Sequence, residues 1–250
     1  MMYIPISERK GETMSTVAER VGAKSVQLNS KCFGRGYDFT PSSITEEKEK
    51  DFIFRALFPI GLDAFVQEPS EEMEKDVRDH LFSADHLLVM RSDGTFRFGS
   101  MKTGEPRPIA FRMWKDFQLS CGKALYLAGM CVLPSWQGKG IGQAMTRYSL
   151  ESGDYDYVFT VTQNPVAKMS MDKAIGKRST PDYNGPFDGT EFAKALGKEH
   201  LYDLKTQIIK RNYGGSLYGV LPQSHSAYYN SLFNQLNRED GDAYLCIAKL

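Results

Sequence analysis

Residues 125–150 of the chain read LYLAGMCVLPSWQGKGIGQAMTRYSL. The first part is an apolar run typical of a β-strand, and Pro134 ends it because proline cannot donate to a strand ladder. Three glycines in five residues follow within Gly138–Gly142. Apolar residues then recur at helical spacing from Ile141 onward. The segment therefore predicts a strand, a glycine-rich turn and a helix in direct succession.

The glycine-rich turn has the composition of an anion site. Without Cβ atoms, successive backbone N–H groups can point into one concavity, and a helix N-terminus adds N–H groups and partial positive charge. Together these features indicate a site for a diphosphate. A P-loop requires Ser or Thr after its lysine, whereas Gly140 follows Lys139, and the spacing GxGxG differs from the dinucleotide fingerprint GxGxxG. The alternative is a turn that uses glycine only for tightness.

A family resemblance extends this interpretation. The pattern Val-x-Pro-x-x-Gln-x-x-Gly-x-Gly over residues 132–142 resembles the signature of the GNAT N-acetyltransferases, in which Gln or Arg precedes x-x-Gly-x-Gly or Ala. A later helix of that family also has a counterpart, with Asn164 followed three residues on by Ala167. At the level of element order the resemblance covers residues 87–176, and it is specific over residues 130–143.

The resemblance implies a mixed α/β fold, with a strongly bent sheet flanked by helices, and acetyl-CoA as co-substrate without a metal. The strand Ala124–Leu133 would part from the strand Tyr155–Val161, and the pantetheine arm would lie between them. The expected cofactor-binding residues are Met130, Cys131 and Val132 for the pantetheine, the amides of Gln137, Gly138, Lys139, Gly140, Ile141, Gly142 and Gln143 for the pyrophosphate, and Asn164 on the far side of the cofactor. Asn164 fits a plain helix cap equally well.

Catalytic groups are harder to assign. Many GNAT enzymes carry a tyrosine seven residues after the helix asparagine, and it gives a proton to the departing thiolate; Met171 holds that place here. The neighbouring Ser170 is a candidate, although an exposed helix serine is the simpler interpretation. Many members also place a carboxylate on the strand before the turn, where this chain has Tyr126. Tyr126 could orient a water molecule, or it could be a core aromatic residue.

The regions outside the resemblance offer candidates for acceptor recognition. Aromatic residues of the C-terminal part could line the acceptor entrance, although most aromatics at such spacings are core residues; they are Tyr213, Tyr218, Tyr228, Tyr229 and Phe233. Three acidic residues could attract an amine, or could simply be solvated: Asp182, Asp188 and Glu191.

Composition restricts the class of protein. Lys+Arg and Asp+Glu number 31 each, so the chain has no net field that would favour nucleic acid or an acidic membrane surface. Four scattered cysteines without a CxxC pair indicate reduced thiols, and no apolar run is long enough for a signal peptide or a bilayer span. We therefore expect a cytoplasmic protein. Its 250 residues are predicted to form a single domain, with residues 1–22 loosely ordered and residues 177–250 as a C-terminal elaboration.

Periodicity and turn residues predict the remaining elements. The expected strands are residues 24–29, 86–90, 95–100, 108–117, 124–133, 155–161 and 243–248, with residues 92–94 as a hairpin turn before the third of them. The expected helices are residues 45–57, a segment that begins after Ser70, a segment that ends at Gly153, residues 165–176, residues 189–211 in one or two pieces, and residues 226–236.

The sequence therefore predicts an N-acetyltransferase that transfers an acetyl group from acetyl-CoA to a primary amine by direct attack in a ternary complex. Two alternatives stay open, namely a catalytically silent acyl-CoA-binding regulator and an enzyme for a bulkier acyl-CoA. The acceptor is expected to be a small-molecule or peptide amine. Polyamine, aminoglycoside, amino acid, peptide N-terminus and protein lysine are not distinguished, and neither is the oligomeric state.

Overall fold

The computed structural model of the chain describes residues 13–28, 35–92, 97–98, 101–102, 107–182 and 187–250. The α-helices are α1 Met14–Arg20, α2 Glu47–Phe65, α3 Glu71–Ser83, α4 Ile141–Glu151, α5 Pro165–Ile175, α6 Thr190–Ala195 and α7 Ala227–Phe233. The strands are β1 Lys24–Gln27, β2 Arg35–Phe39, β3 His86–Arg91, β4 Arg97–Phe98, β5 Met101–Lys102, β6 Pro108–Leu119, β7 Gly122–Val132, β8 Tyr157–Thr162, β9 Tyr202–Asp203, β10 Ile208–Ile209 and β11 Ala243–Lys249.

Within the described residues, nine strands belong to one mixed sheet in the order β1-β2-β3-β6-β7-β8-β11-β10-β9. The pair β7–β8 is parallel, whereas β8–β11 and β2–β3 are antiparallel. Strands β4 and β5 form a separate antiparallel pair. This arrangement confirms the predicted mixed α/β class.

The chain divides into two compact units. The first comprises the described parts of residues 1–64, 68–113 and 129–141, and the second those of residues 65–67, 114–128 and 142–250. Strands β6 and β7 contribute residues to both. The prediction of a single domain stays a prediction.

The first unit contains the strands β1, β2 and β3, helix α3 and all of helix α2 except its last residue, Phe65. The apolar residues Leu87, Leu88 and Val89 of β3 are fully buried, as their continuous apolar run predicts. Helix α3 begins after Ser70, whose hydroxyl accepts the Met73 N–H at 3.2 Å, so the predicted N-cap is confirmed.

In the second unit, β8 pairs along its whole length with β11, from Tyr157–Lys249 to Thr162–Tyr244. Phe159 of β8, Leu245 of β11 and Phe192 of α6 form a common apolar core. The closing strand predicted at residues 243–248 and the helix predicted at residues 226–236 are both present as β11 and α7.

The long helix predicted for residues 189–211 is wrong beyond its first turns. Only Thr190–Ala195 is α-helical, and Gly197 then adopts a left-handed conformation with φ of +67°, which a continuous helix does not allow. The buried β-branched pair Ile208–Ile209 joins the sheet beside β11, so tertiary pairing overrides the helical composition.

The hairpin predicted after β3 also differs from the observed strand pairing. Residues 93–96 lie outside the described residues, but Arg97–Phe98 pairs with Met101–Lys102 rather than returning along β3. In the sheet, β3 has β2 on one side and β6 on the other. Just beyond the ends of β3 and β6, Ser92 N donates to Arg107 O at 2.9 Å.

Among the described residues, no helix is both long enough and apolar enough to span a bilayer.

A buried ionic cluster fixes the α5 helix. Lys168 is 0% exposed, and its ammonium donates to the Asp172 carboxylate at 3.0 Å, the Ser179 carbonyl at 2.7 Å and the Ser179 hydroxyl at 2.8 Å. The hydroxyl of Tyr229, from α7, donates to Asp172 at 3.0 Å. All three ammonium protons thus have acceptors, which is the condition under which a buried charge is tolerated.

We predict that Lys168→Ala lowers the free energy of unfolding by about 3–5 kcal/mol, because it leaves the Asp172 charge buried without its cation. The matched control is Lys173→Ala, an exposed lysine of the same helix, for which a change within about 0.5 kcal/mol is expected. Urea denaturation followed by circular dichroism measures both. Equal losses for the two variants would contradict the interpretation of the cluster.

Candidate functional site

The glycine-rich turn follows β7 through one 3₁₀ turn, Pro134–Trp136, and leads directly into α4 at Ile141. Gly138 has φ of +73° and Gly140 has φ of +80°, a region in which glycine is strongly preferred. A Cβ built at either glycine would meet no atom within 4 Å. The glycines are therefore required by backbone conformation and face open space, so tight packing does not explain them.

The signature glutamine holds the turn together. The Nε2–H of Gln137 donates to the Val132 carbonyl at 3.0 Å, which ties the start of the turn back to the end of β7. Trp136, just before the turn, is buried, and the ammonium of Lys139 lies 4.7 Å from the centre of its ring. The side chain of Gln137 thus positions the turn, and Lys139 places a cation beside it.

Helix α4 presents an N-terminus suited to an anion. Its first turn contains no acidic residue, so nothing there competes with an incoming negative charge for the positive end of the dipole. Ile141 is buried and anchors the first turn. The Gln143 side chain is engaged elsewhere, donating to the Lys173 carbonyl at 3.2 Å, so an anion could meet only its backbone N–H.

The end of β7 holds the residues expected to bind pantetheine, and Cys131 limits the possible chemistry. Its thiol is 3% exposed, and burial raises the pKa of Cys131 to about 12. The nucleophilic form of cysteine is the thiolate, which is scarce at neutral pH with such a pKa. An acyl-cysteine intermediate on Cys131 is therefore disfavoured, whereas direct transfer needs no such group.

In the second unit, the pairing of β7 with β8 ends before β8 does, as expected if these strands part. The parallel pairing of β7 with β8 comprises three positions, ending at Tyr126–Phe159, although β8 continues to Thr162. At the next position the Leu127 carbonyl accepts the hydroxyl of Thr160 at 2.8 Å. A side chain thus takes the place of a backbone donor where the ladder stops.

Tyr126 packs as a core aromatic residue. Its ring lies 5.0 Å from that of Phe159 and 6.3 Å from that of Phe117, measured between centroids. Burial raises the pKa of Tyr126 to about 12, so the phenol stays protonated at neutral pH and cannot act there as a base. A part in orienting water stays a prediction.

Asn164 is the N-cap of α5, as one of its two interpretations predicts. Its Oδ1 accepts the Val166 N–H at 2.8 Å, and its Nδ2 donates to the hydroxyl of Tyr218 at 3.2 Å. The ring of Tyr218 packs against Phe65 at 5.2 Å between centroids. The sequence indicates Tyr218 only as one of several aromatic residues of the C-terminal part. Its contact with Asn164 could not be predicted, because 54 residues separate the two. The cofactor contact of Asn164 stays a prediction.

Several other sequence candidates are packed into the fold. Met171 is 2% exposed and packs as a core residue at the place of the expected tyrosine, and Ser170 beside it is half-buried rather than exposed. Phe233 is fully buried against Tyr244, and the Tyr213 hydroxyl donates to the Val161 carbonyl at 2.9 Å. These two aromatics therefore have structural contacts.

Two of the three acidic candidates bind backbone groups. Glu191 accepts the Ser120 N–H, and its hydrogen bonds with Ser120 hold the pKa of Glu191 below its usual value. Asp188 accepts the Thr190 N–H at 3.0 Å at the start of α6. Both contacts fit structural roles.

Comparison with known proteins gives structural neighbours only. No family model matches the sequence, and no curated protein matches it. Among solved structures, the chain is similar to an Aedes aegypti protein assigned as arylalkylamine N-acetyltransferase 7, with 11% identity, TM-score 0.44, and 91% of this chain and 93% of that chain covered. Chaetomium thermophilum Naa20 in complex with a bisubstrate analogue gives 14% identity, TM-score 0.38, and 85% of each chain covered.

A further neighbour is the NatC complex bound to Gag peptide and CoA, with 13% identity, TM-score 0.37, and 79% of this chain and 90% of that chain covered. Each of these three TM-scores is below 0.5. Among the described residues, no cluster of three or more His, Cys, Asp or Glu side chains has a metal-binding arrangement.

Proposed function

We propose that the chain is an acetyl-CoA-dependent N-acetyltransferase of the GNAT type. One observation carries the proposal, namely the succession of β7, two left-handed glycines in open space and the N-terminus of α4. This geometry suits a diphosphate, because backbone N–H groups and the helix dipole both favour negative charge. The resemblance of residues 132–142 to the GNAT signature supports coenzyme A as the diphosphate ligand.

The Gln137 amide, which the sequence also predicts to bind the pyrophosphate, donates instead to the Pro134 carbonyl at 3.2 Å. In this proposal the amides of Gly138–Gln143 therefore hold the pyrophosphate, with Lys139 beside them. The backbone of Met130–Val132 binds the pantetheine arm in the manner of an additional strand. Acetyl-CoA supplies an activated thioester, and the chain's part is to position it against an acceptor amine. The buried neutral thiol of Cys131 favours direct attack over a covalent enzyme intermediate.

The acceptor must lose a proton before it attacks, since an ordinary alkyl amine has a pKa of about 10.4. The departing thiolate gains from a proton donor. We propose Tyr218 for the second task, because its hydroxyl lies at Asn164, which the family pattern places near the cofactor, and because Met171 has no proton to give. Small-molecule and peptide amines in the cytoplasm are the proposed acceptors.

We predict that the unmodified chain binds acetyl-CoA and that Gly140→Glu weakens binding by about 100-fold or more. The substitution adds a carboxylate to the phosphate site and disturbs charge-assisted hydrogen bonds, each of which is worth about 1.5–3 kcal/mol. Calorimetric titration measures both affinities.

The matched control is Gly197→Glu. Gly197 has the same backbone conformation, with φ of +67°, and the same open surroundings, so this variant carries the same added charge and backbone strain away from the turn. It should bind acetyl-CoA like the unmodified chain. If the unmodified chain does not bind, or if both variants lose binding equally, the phosphate site is wrong.

We predict that Tyr218→Phe lowers kcat about 100-fold while the Kd for acetyl-CoA stays within about threefold, because general-acid help typically contributes about 10²–10⁴-fold. Tyr155→Phe is the control, since the Tyr155 hydroxyl donates to Asp116 at 2.8 Å and has no place in the proposed reaction. Thiol release from acetyl-CoA gives the rates. An unchanged kcat in Tyr218→Phe would remove this residue from the mechanism.

The buried Met171 also favours a second candidate function, a catalytically silent acyl-CoA-binding module, because the family's usual proton donor is replaced by a core residue. Turnover separates the two candidates. Release of coenzyme A that depends on an added amine identifies an enzyme, whereas tight binding without release across an amine panel identifies a module.

A further inference from the structure

Arg112 of β6 is a buried cation whose hydrogen-bonding capacity is not met by the residues that the structure describes. The residue is 4% exposed, and its Nε is buried without a hydrogen-bond partner. Its Nη1–H donates to the Met130 sulfur at 3.1 Å. A thioether sulfur is a weak acceptor with no charge, so it does not compensate a guanidinium.

Burying the Arg112 charge is unfavourable unless another group compensates it. Burial lowers the pKa of Arg112 to about 9, and no neighbouring carboxylate counters the shift. The guanidinium is still protonated at neutral pH. Within the described part of the chain, no acidic residue forms an ion pair with it. Buried charges in proteins are usually paired or ligated, and an uncompensated one indicates that its partner arrives from outside.

The position of Arg112 connects it to the proposed reaction. Met130, its hydrogen-bond partner, is the first of the three residues proposed to bind pantetheine, and Val132 is the last before the phosphate turn. Pantetheine that runs from the turn back along β7 therefore brings its thioester end towards Met130. On this arrangement Arg112 lies beside the reacting end of the coenzyme rather than beside its phosphates.

Resting on the proposed function, we propose that Arg112 binds the carboxylate of the acceptor, so that the acceptor is a carboxylate-bearing amine such as an α-amino acid. The planar guanidinium fork matches a carboxylate and gives charge-assisted hydrogen bonds to it. The pyrophosphate of the coenzyme has its own site at the turn, so the anion near Met130 comes from the second substrate. This assignment disfavours polyamines and aminoglycosides, which carry no carboxylate.

The test compares glycine and each L-amino acid that has a primary amine with its α-carboxamide, which keeps the amine and the side chain but removes the negative charge of the α-carboxylate. The chain of residues 1–250, saturated with acetyl-CoA, should use the acid of the best pair with a kcat/KM about 10- to 100-fold above that of the amide. Arg112→Met should abolish that preference. Arg55→Met, at an exposed arginine of α2, should retain it. Equal use of acid and amide by the unmodified chain would overturn the proposal.

A binding measurement decides the question even where no amine turns over. In thermal unfolding without acetyl-CoA, the pooled N-acetyl-L-amino acids should raise the Tm of the unmodified chain but not of Arg112→Met, and the corresponding pooled amides should raise neither. Without ligand, Arg112→Met should have a Tm equal to or above that of the unmodified chain, because it removes an uncompensated buried charge. A fall of several degrees would show a structural partner and contradict the proposal.

The coenzyme itself is the other possible source of the anion. If Arg112 binds one of its phosphates, Arg112→Met weakens the binding of CoA by about tenfold or more but leaves the binding of pantetheine, which has no phosphate, unchanged. That result would overturn the carboxylate proposal and leave the proposed function intact. Failure of the unmodified chain to bind CoA at all would instead refute the proposed function.

Discussion

Backbone conformation between β7 and α4 is the constraint from which the proposed function follows. A strand must give way to a helix within a few residues, and the chain does so with positive φ at Gly138 and Gly140. Larger residues rarely adopt these angles, so the requirement for glycine leaves the outer side of the turn bare. The bond from Gln137 to the Val132 carbonyl then fixes the turn against the strand. The fold and the proposed chemistry share one cause, since a turn without Cβ atoms lets an anion approach the backbone N–H groups.

The buried cations Lys168 and Arg112 differ in how completely their hydrogen bonds are satisfied, and this difference distinguishes a structural role from a functional one. Lys168 has an acceptor for every ammonium proton, one of them from an aspartate a helical turn away, so its cluster is explained by stability alone. Among the described residues, Arg112 has only the Met130 thioether sulfur as an acceptor, and its Nε has no partner. Both are nearly inaccessible to water. The difference in hydrogen-bond completeness is what makes Arg112 the candidate for substrate recognition.

Much of the fold could be predicted from local pattern. The apolar run 86–90, the caps Ser70 and Asn164 and the strand–turn–helix segment are encoded by residues that are close in sequence. The pairing of Ile208–Ile209 beside β11 was missed, because it depends on a partner more than thirty residues away. The site divides in the same way. The glycine turn and the helix start that follows it could be predicted from the sequence. The contact between Asn164 and Tyr218 and the lack of an ion-pair partner for Arg112 among the described residues depend on the folded structure.

The most direct test is a crystal structure of residues 1–250 with coenzyme A. We expect pyrophosphate oxygens within about 3 Å of the backbone nitrogens of Gly138–Gln143, and the pantetheine amides hydrogen-bonded to the backbone of Met130–Val132. A coenzyme that binds elsewhere, with the glycine turn unchanged and in contact only with solvent, would contradict the proposed phosphate site.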